Sequence, residues 1–477
     1  MSQTYSDLPQ LEDTLNNDSQ YNDLIEDETS IIDPFNFTDS TEHSYQMQMQ
    51  SQTPVELQGS SLKGAFFNMT NSIVGAGIVG IPRAFMNSGL FMGIVFMAIL
   101  TFLNDWTLRL IIVNTKLSGT KSYTGFVSHT YGTFGKIIVL LAQGLFALGG
   151  SIGFAIIIGD SIPHVLRSIF ADAITNSNIL NFLLSRNTII LFCICFICFP
   201  LCLIADISKL AKSSGLALVS MLVIISIVVI RGPMVDNSFK GSIDGWDYII
   251  NGGIFQGISV ISFALVCHHN TTFIYDSLRV PTMDRFDMVT HISCAISGFV
   301  CGLMGICGFL TFGDKTKGNI LNNFPSDDWI VNIARLCFGL NMITTLPLEV
   351  YVFREILKDL FIIYNRLKNP SFDMVKFNRV QNLIVTSFII AIPLITAMLT
   401  CNLGAVLELV GATSGSTLAY ILPPLCHNKM TKEHKSVVQQ APYYICAVFG
   451  FIVMILSSLQ TILETFKNNS DAGHCVS

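Results

Sequence analysis

The sequence predicts an all-α membrane protein with about 11 transmembrane helices, and its composition and its apolar runs carry this prediction. Of the 477 residues, 51% are hydrophobic and 13% are charged, whereas a soluble protein carries about 25% charged residues. A bilayer core about 30 Å thick needs roughly 20 apolar residues per helix. The apolar runs at 91–113 and 216–230 are typical of such helices.

The apolar runs define the individual spans. The eleven candidate spans lie at residues 65–86, 89–114, 136–160, 187–205, 211–231, 249–270, 289–313, 329–350, 380–400, 404–426 and 441–463.

Two polar tails flank the predicted transmembrane domain, which covers residues 61–465. Residues 1–60 are rich in Asp, Glu, Asn, Gln and Ser. They cannot bury enough apolar area to offset their ordering entropy, so we expect a disordered, acidic, cytosolic tail. This tail has neither the basic start nor the apolar stretch of a cleavable signal peptide. Residues 466–477 are expected to form a short luminal tail.

The distribution of Lys and Arg predicts the orientation, because positively charged loops stay in the cytosol. With a cytosolic amino terminus, eighteen of the 27 Lys and Arg residues lie on the cytosolic side, eight lie on the other side, and Arg335 lies inside a span. An odd number of spans follows. Residues 116–135 carry four aromatic side chains, and two alternatives stay open for them: a short helix in the membrane interface or an ordinary polar loop.

Several functional classes are not indicated. The acidic charge balance of −6 argues against a nucleic-acid partner. The glycines of the first span sit inside an apolar run with no preceding strand, so they are not a nucleotide fingerprint. We find neither a nucleophile with its base nor a metal-ligand constellation, so we expect no enzyme, no cofactor and no metal. The cysteines lie mostly in apolar runs, where Cys behaves as a small apolar residue.

The most informative segment is the run NSIVGAGIVGIP at 71–82. Its glycines and Pro82 should weaken or break a helix in the middle of the membrane. Such a break is tolerated only where the freed backbone lines a protein cavity, and its amides can hold a substrate carboxylate. We therefore choose Gly75, Ala76 and Gly77 as a carboxylate cradle. The alternative is that these small residues only let two helices pack closely.

A second break is predicted in the sixth span, where glycines and serines recur between Gly252 and Asn270. An inverted-repeat transporter interrupts the first helix of each half, and five spans precede this one. Ser262 and Phe263 are accordingly the substrate-binding candidates from the second half.

The motif at 71–82 resembles the opening motif of the amino acid/auxin permease family, which includes fungal vacuolar amino-acid transporters and sodium-coupled neutral amino-acid transporters. Residues 156–160, 263–268 and 411–416 also resemble this family in order along the chain. The resemblance covers nearly all of the chain after residue 60. It implies a LeuT-like core of two five-helix inverted repeats plus one extra helix, with an amino acid as substrate.

The resemblance also implies a cation site near the first and eighth spans. Sodium-coupled members use an Asn of the first motif and a Thr of the eighth span shortly before a proline. Asn71 and Thr345 match these positions, with Thr344 beside Thr345. Their oxygens suit a hard cation such as sodium, although the same side chains can simply bond neighbouring helices.

Ionisable residues within the spans are candidates for proton coupling. The chain departs from the family pattern after Cys267 and His268, since His269 and Asn270 stand where proline and glutamate are common. His268 is a candidate proton carrier, or else an interfacial anchor. Glu408, early in the tenth span, and Asp160, at the end of the third, are further coupling candidates.

Three further ionisable residues have other expected roles. Glu349 is placed at the cytosolic end of the eighth span. Asp105 and Arg109, four residues apart on the second span, are expected to pair with each other in a structural role.

Together these features predict a secondary active transporter that moves small, neutral amino acids through the lipid bilayer, coupled to a proton or sodium gradient. The alternative is an amino-acid-binding sensor that signals through the acidic cytosolic tail. The resemblance favours the vacuolar or lysosomal membrane, with the plasma membrane as the second choice. If the membrane is vacuolar, proton efflux from an acidic lumen would drive amino-acid export.

Overall fold

The computed structural model describes residues 60–203, 214–369, 372, 377–432 and 436–467. The predicted cytosolic tail, apart from Ser60, and all but the first two residues of the predicted luminal tail lie outside these ranges. In the described part of the chain the secondary structure is helical, apart from one isolated bridge between Ser60 and Leu278. The prediction of an all-α, multi-pass membrane protein is confirmed.

Eleven helical segments, which we number α1 to α11, form the described bundle. Nine of them are long and apolar enough to cross a membrane, and α1 joins them as a bent pair; α5 follows directly on the undescribed residues 204–213. The bounds are α1 Leu62–Ile73 with Ala76–Ser88, α2 Leu90–Ser118, α3 Tyr123–Ile169, α4 Arg186–Leu203, α5 Ser214–Arg231, α6 Ile254–Asp276, α7 Met283–Phe312, α8 Trp329–Lys368, α9 Arg379–Leu399, α10 Leu403–Thr431 and α11 Val437–Lys467.

The segment at 116–135 is mostly helical, as one of the two alternatives predicted. Ser122 caps a helix that begins at Tyr123, and Gly132, with φ 65°, bends it into the rest of α3. A glycine suits this bend because other residues rarely adopt positive φ. The Tyr123 hydroxyl donates to Leu418 O over 2.6 Å, and Phe126 is fully buried. These two aromatic side chains therefore pack against protein.

Glycines let α3 approach its neighbours closely. A Cβ atom added to Gly149 would lie 2.1 Å from Val410 of α10, and one added to Gly339 of α8 would lie 2.5 Å from Ile162 of α3. Small residues at such positions let helix backbones approach closely in a bilayer, where van der Waals packing and not the hydrophobic effect drives helix association.

The middle of α10 is wound more widely than an α-helix. Gly411–Gly415 and Thr417–Ile421 are two π-helical stretches, and the Ser416 hydroxyl donates to Gly411 O five residues back. A Cβ atom on Gly411 would lie 1.9 Å from Ser259 O of α6. The wide turns therefore occur where α10 presses its backbone against α6.

Arg335, which the sequence left unexplained inside a span, holds the loop between α7 and α8. Its side chain is 1% exposed, and its guanidinium donates to three loop carbonyls, those of Leu321, Phe324 and Pro325, over 2.8–3.1 Å. The five donors of a guanidinium suit this task. Arg335 thus fixes the conformation of the α7–α8 loop.

Eleven described cysteines are free thiols, as the apolar interpretation predicts. Cys401, between α9 and α10, differs because it is disulfide-bonded.

Candidate functional site

The helix α1 is broken where the sequence predicts. Val74 (φ −82°, ψ 71°) and Gly75 (φ −99°, ψ −154°) leave the helical conformation. A 3-10 turn at Ala76–Gly80 follows, and the two halves meet at 41°. A helix end leaves carbonyls without partners and a helix start leaves amides without partners. The break therefore exposes both kinds of backbone group at one place.

The helix α6 is also broken, which confirms the second predicted interruption. Its α-helix ends at Leu265, Val266 and Cys267 depart from helical geometry, and a 3-10 turn at His268–Asn270 follows. The Asn270 side-chain amide donates to Ser72 Oγ over 2.9 Å. The two breaks therefore meet in space, although they lie far apart in sequence.

The three small residues chosen for the cradle have different surroundings. A Cβ atom on Gly77 would lie 2.7 Å from Ala264 Cα of α6, whereas one on Gly75 would meet nothing within 4 Å. Ala76 is 6% exposed. The packing alternative therefore accounts for the lack of a side chain at Gly77, while Gly75 borders open space beside the break.

Ser262 and Phe263 face different neighbours. Ser262 is fully buried, donates to Ile258 O over 2.8 Å and accepts from the Tyr420 hydroxyl over 3.2 Å. The Phe263 ring stacks on Phe146 of α3 with 5.3 Å between ring centroids. Phe263 thus contributes an aromatic surface next to the α6 break, and Ser262 is turned toward α10.

The predicted cation ligands are not joined by hydrogen bonds. The hydroxyls of Thr344 and Thr345 both donate to Asn341 O within α8, over 2.9 and 2.8 Å. The Asn71 side chain makes no hydrogen bond to any described residue. Asn71 is half-buried just before the α1 break, so its amide is available to a ligand there.

His268 is fully buried behind the α6 break. One ring nitrogen lies 2.8 Å from the Thr107 hydroxyl of α2, while Nδ1 has no partner among the described residues. The neighbouring His269 ring lies 5.1 Å from the Phe146 ring. A fully buried position does not fit the interfacial-anchor alternative.

Asp160 is held from several sides at one end of α3. Its carboxylate lies 3.5 Å from Arg186 Nε and accepts from Asn322 and Asn319 of the α7–α8 loop over 2.9 and 3.5 Å. Arg186 in turn donates to Ala397 O over 2.7 Å. This arrangement connects three helices and a loop, which favours a structural role.

Glu408 is likewise fully engaged. Its carboxylate, 5% exposed, accepts from Asn87 of α1, Gln256 of α6 and Thr461 of α11 over 3.2, 3.2 and 3.0 Å. It also lines a cavity of about 540 Å³ that reaches the α7–α8 loop. Glu408 therefore ties α10 to three other helices.

The Asp105–Arg109 pair was predicted and is confirmed, with 2.9 Å between Oδ2 and Nη2. His291 of α7 joins it, since its Nδ1 lies 3.0 Å from Asp105 Oδ1.

The helix α8 is longer than the eighth predicted span. It continues to Lys368, so Glu349 lies near the middle of the helix, and its expected place at the cytosolic end of the membrane span stays a prediction. The hydropathy signal fades at Arg354, Glu355 and Lys358, so the predicted span ends before the helix does.

Comparison with known proteins agrees with this architecture. Residues 58–463 match the family described as transmembrane amino acid transporter protein. The chain is 47% identical over 417 residues to vacuolar amino acid transporter 2 of Saccharomyces cerevisiae, covering 87% of this chain and 86% of that protein. It is 33% identical over 404 residues to the putative sodium-coupled neutral amino acid transporter 11 of Danio rerio, covering 85% and 87% of the two chains.

A third relative, amino acid transporter AVT6E of Arabidopsis thaliana, is 26% identical over 427 residues, covering 87% and 85% of the two chains. With paired broken helices and a family match along most of its length, the chain belongs to the transmembrane amino acid transporter family, whose members are transporters and not enzymes.

Proposed function

We propose that this protein is a secondary active transporter that moves small, neutral amino acids across the vacuolar membrane, coupled to a proton or sodium gradient. The observation that carries the proposal is the meeting of two broken helices, joined by the 2.9 Å bond from Asn270 to Ser72. Breaks of this kind supply amides for a substrate carboxylate and carbonyls for a cation.

The substrate carboxylate binds at Gly75, Ala76 and Gly77, on the side where Gly75 borders open space. The amides of Ala76 and Gly77 are the donors, because the Gly75 amide donates to Ile73 O over 2.9 Å. Phe263 forms the neighbouring aromatic wall with Phe146. Asn71 shares in this site.

The cation, where it is sodium, binds near Asn71, Thr344 and Thr345. Both threonine oxygens can still accept or coordinate, since each hydroxyl uses only its hydrogen in its bond to Asn341 O.

The relatives support the finer parts of the proposal. One is named as vacuolar and another as sodium-coupled and neutral. In a vacuole with an acidic lumen, proton efflux would drive amino-acid export to the cytosol.

A cytosolic amino terminus is part of the proposal. With eleven spans, the connection between α9 and α10 lies on the side opposite the amino terminus. Cys401 of that connection is disulfide-bonded, and disulfides persist outside the reducing cytosol. The disulfide and the Lys and Arg distribution thus support the same orientation.

The decisive experiment is uptake of a labelled amino-acid panel by the purified full chain in liposomes, with proton and sodium gradients imposed separately. A Gly75→Leu variant fills the open space at the break, and we expect it to abolish uptake. Gly245→Leu is the matched control, because Gly245 also has nothing within 4 Å of an added Cβ but lies in an exposed loop. Unaltered uptake by Gly75→Leu would refute the assigned site.

The sensor alternative makes an opposite prediction. It requires that the purified protein binds an amino acid without moving it, so binding without flux under either gradient would replace the carrier with a sensor. A fluorescent fusion that labels the plasma membrane, and not the vacuole, would overturn the proposed location.

A further inference from the structure

Glu349 occupies an unusual position in the middle of α8. It follows Phe338 and Met342 by 11 and 7 residues, a spacing that places all three on one face of a helix. Phe338 and Met342 are fully buried or nearly so. The face that carries Glu349 therefore points into the protein and not toward lipid.

The carboxyl group lies opposite α3 at a place where that helix has no side chain. A Cβ atom added to Gly150 would lie 3.9 Å from both Cγ and Cδ of Glu349. The carboxylate makes no hydrogen bond or ion pair with any residue that the structure describes. Asp160 and Glu408, in contrast, each have several donors.

No described cation neutralises Glu349 from the helices that pack on α8. On α3, no ionisable side chain occurs between Lys136 and Asp160. On α5, Arg231 pairs with Asp328 over 2.6 Å.

On α8 itself, the nearest ionisable neighbours are Tyr351 and Arg354, and Arg354 donates to Cys202 O and Thr386 Oγ1 over 3.1 and 3.0 Å. The ionisable residues of α4 are four cysteines and Arg186, and Arg186 is paired with Asp160. On α9, Arg379 is the first residue of the helix.

Glu349 also lies beside the candidate site. Gly150, which faces it, is one helical turn from Phe146, and Phe146 contacts both Phe263 and His269 at the α6 break. Thr345, a predicted cation ligand, is one turn before Glu349 on α8. The unpaired carboxyl is thus adjacent to both halves of the proposed site.

We propose that Glu349 is the membrane-embedded acid that takes up and releases the co-transported proton. The proton adds to the carboxylate from one side of the membrane and leaves from the carboxylic acid to the other. A single carboxylate suffices for a proton, whereas a hard metal cation takes about six oxygen ligands. This inference rests on the proposed transport function.

The test separates coupling from transport. Glu349→Gln keeps the size of the side chain but cannot ionise. In liposomes, we expect the variant to exchange external labelled for internal unlabelled amino acid at the wild-type rate and with the wild-type KM. Under an imposed difference of one pH unit, it should lose the accumulation that the wild type shows, up to about tenfold for one coupled proton.

A matched control is Glu355→Gln, which removes a half-exposed carboxylate that pairs with Lys358 one turn further along the helix. It should accumulate the amino acid like the wild type. Glu349→Asp, which restores an ionisable group, should recover part of the accumulation.

The outcomes are distinguishable. Accumulation by Glu349→Gln that follows the pH gradient, or wild-type accumulation that follows sodium alone, overturns the inference but not the transporter. Retained accumulation with a raised KM for exchange would instead assign Glu349 to the substrate ammonium group. If the wild type shows neither exchange nor uptake, the proposed function itself fails.

Discussion

The side-chain amide of Asn270 donates to Ser72 Oγ over 2.9 Å and so joins the two broken helices at their breaks. Asn270→Ala removes this bond. Hydrogen bonds inside membrane proteins contribute about 0.6 kcal/mol on average, so we expect the amino-acid exchange rate to fall about threefold.

The double variant Ser72→Ala/Asn270→Ala checks this interpretation. If the two side chains act through one shared bond, the double variant should exchange amino acid no more slowly than either single variant. Effects that multiply would show that the two residues act independently.

Two glycines two residues apart, Gly75 and Gly77, should respond differently to the same substitution. At Gly77 an added Cβ would lie 2.7 Å from Ala264 Cα, and overpacking of this kind costs about 1–3 kcal/mol. Gly77→Ala should therefore lower the unfolding temperature in detergent. Gly75→Ala should leave that temperature unchanged and raise the KM for exchange, because its Cβ enters the open space. Equal unfolding temperatures would contradict this assignment.

Glu408 should matter for stability more than for coupling. Glu408→Ala leaves the donors of Asn87, Gln256 and Thr461 buried without their acceptor, and each unsatisfied group costs about 1–3 kcal/mol. We expect a large drop in unfolding temperature for Glu408→Ala and a smaller one for Glu408→Gln. Loss of gradient-driven accumulation in a stably folded Glu408→Gln would make Glu408 a coupling residue after all.

Arg335 should be irreplaceable by lysine. A lysine ammonium cannot reproduce the planar set of donors that Arg335 directs to three loop carbonyls. Arg335→Lys should lower stability by about 3 kcal/mol or more and expose the α7–α8 loop to limited proteolysis.

Arg167→Lys is the control for Arg335→Lys. The half-buried Arg167 side chain makes a single bond, to Asn181 over 2.7 Å, so this change should have little effect. Equal losses in the two variants would argue against a special role for Arg335.

The positions of the membrane helices were predictable because each depends on a local run of apolar residues. The breaks near Gly75 and Cys267 were predictable for a similar reason, since glycine and polar residues weaken a helix locally. The far end of α8 was not, because the helix continues through charged residues such as Arg354, which hydropathy takes for a loop.

The partners of the site residues could not be predicted. Whether Gly77 faces α6 or a cavity depends on how two distant segments pack, and the residue type is the same in either case. The partners of Glu408 come from three helices that are far apart in sequence. A single sequence identifies an expensive buried carboxylate, but only the fold shows which carboxylates have donors and which, like Glu349, have none among the described residues.

The two π-helical turns of α10 each contain one residue more than an α-helical turn. A π-helical turn arises when a helix accommodates one extra residue, and Gly411–Gly415 and Thr417–Ile421 provide two such turns in succession. A wide turn can migrate along a helix by exchanging one hydrogen bond at a time, rotating the part beyond it without melting the rest. Deleting Thr417 would remove the residue that the second wide turn accommodates, so an α-helical turn would replace it and Tyr420 would still face Ser262. The same deletion from a regular α-helix would turn the segment beyond it by about 100°.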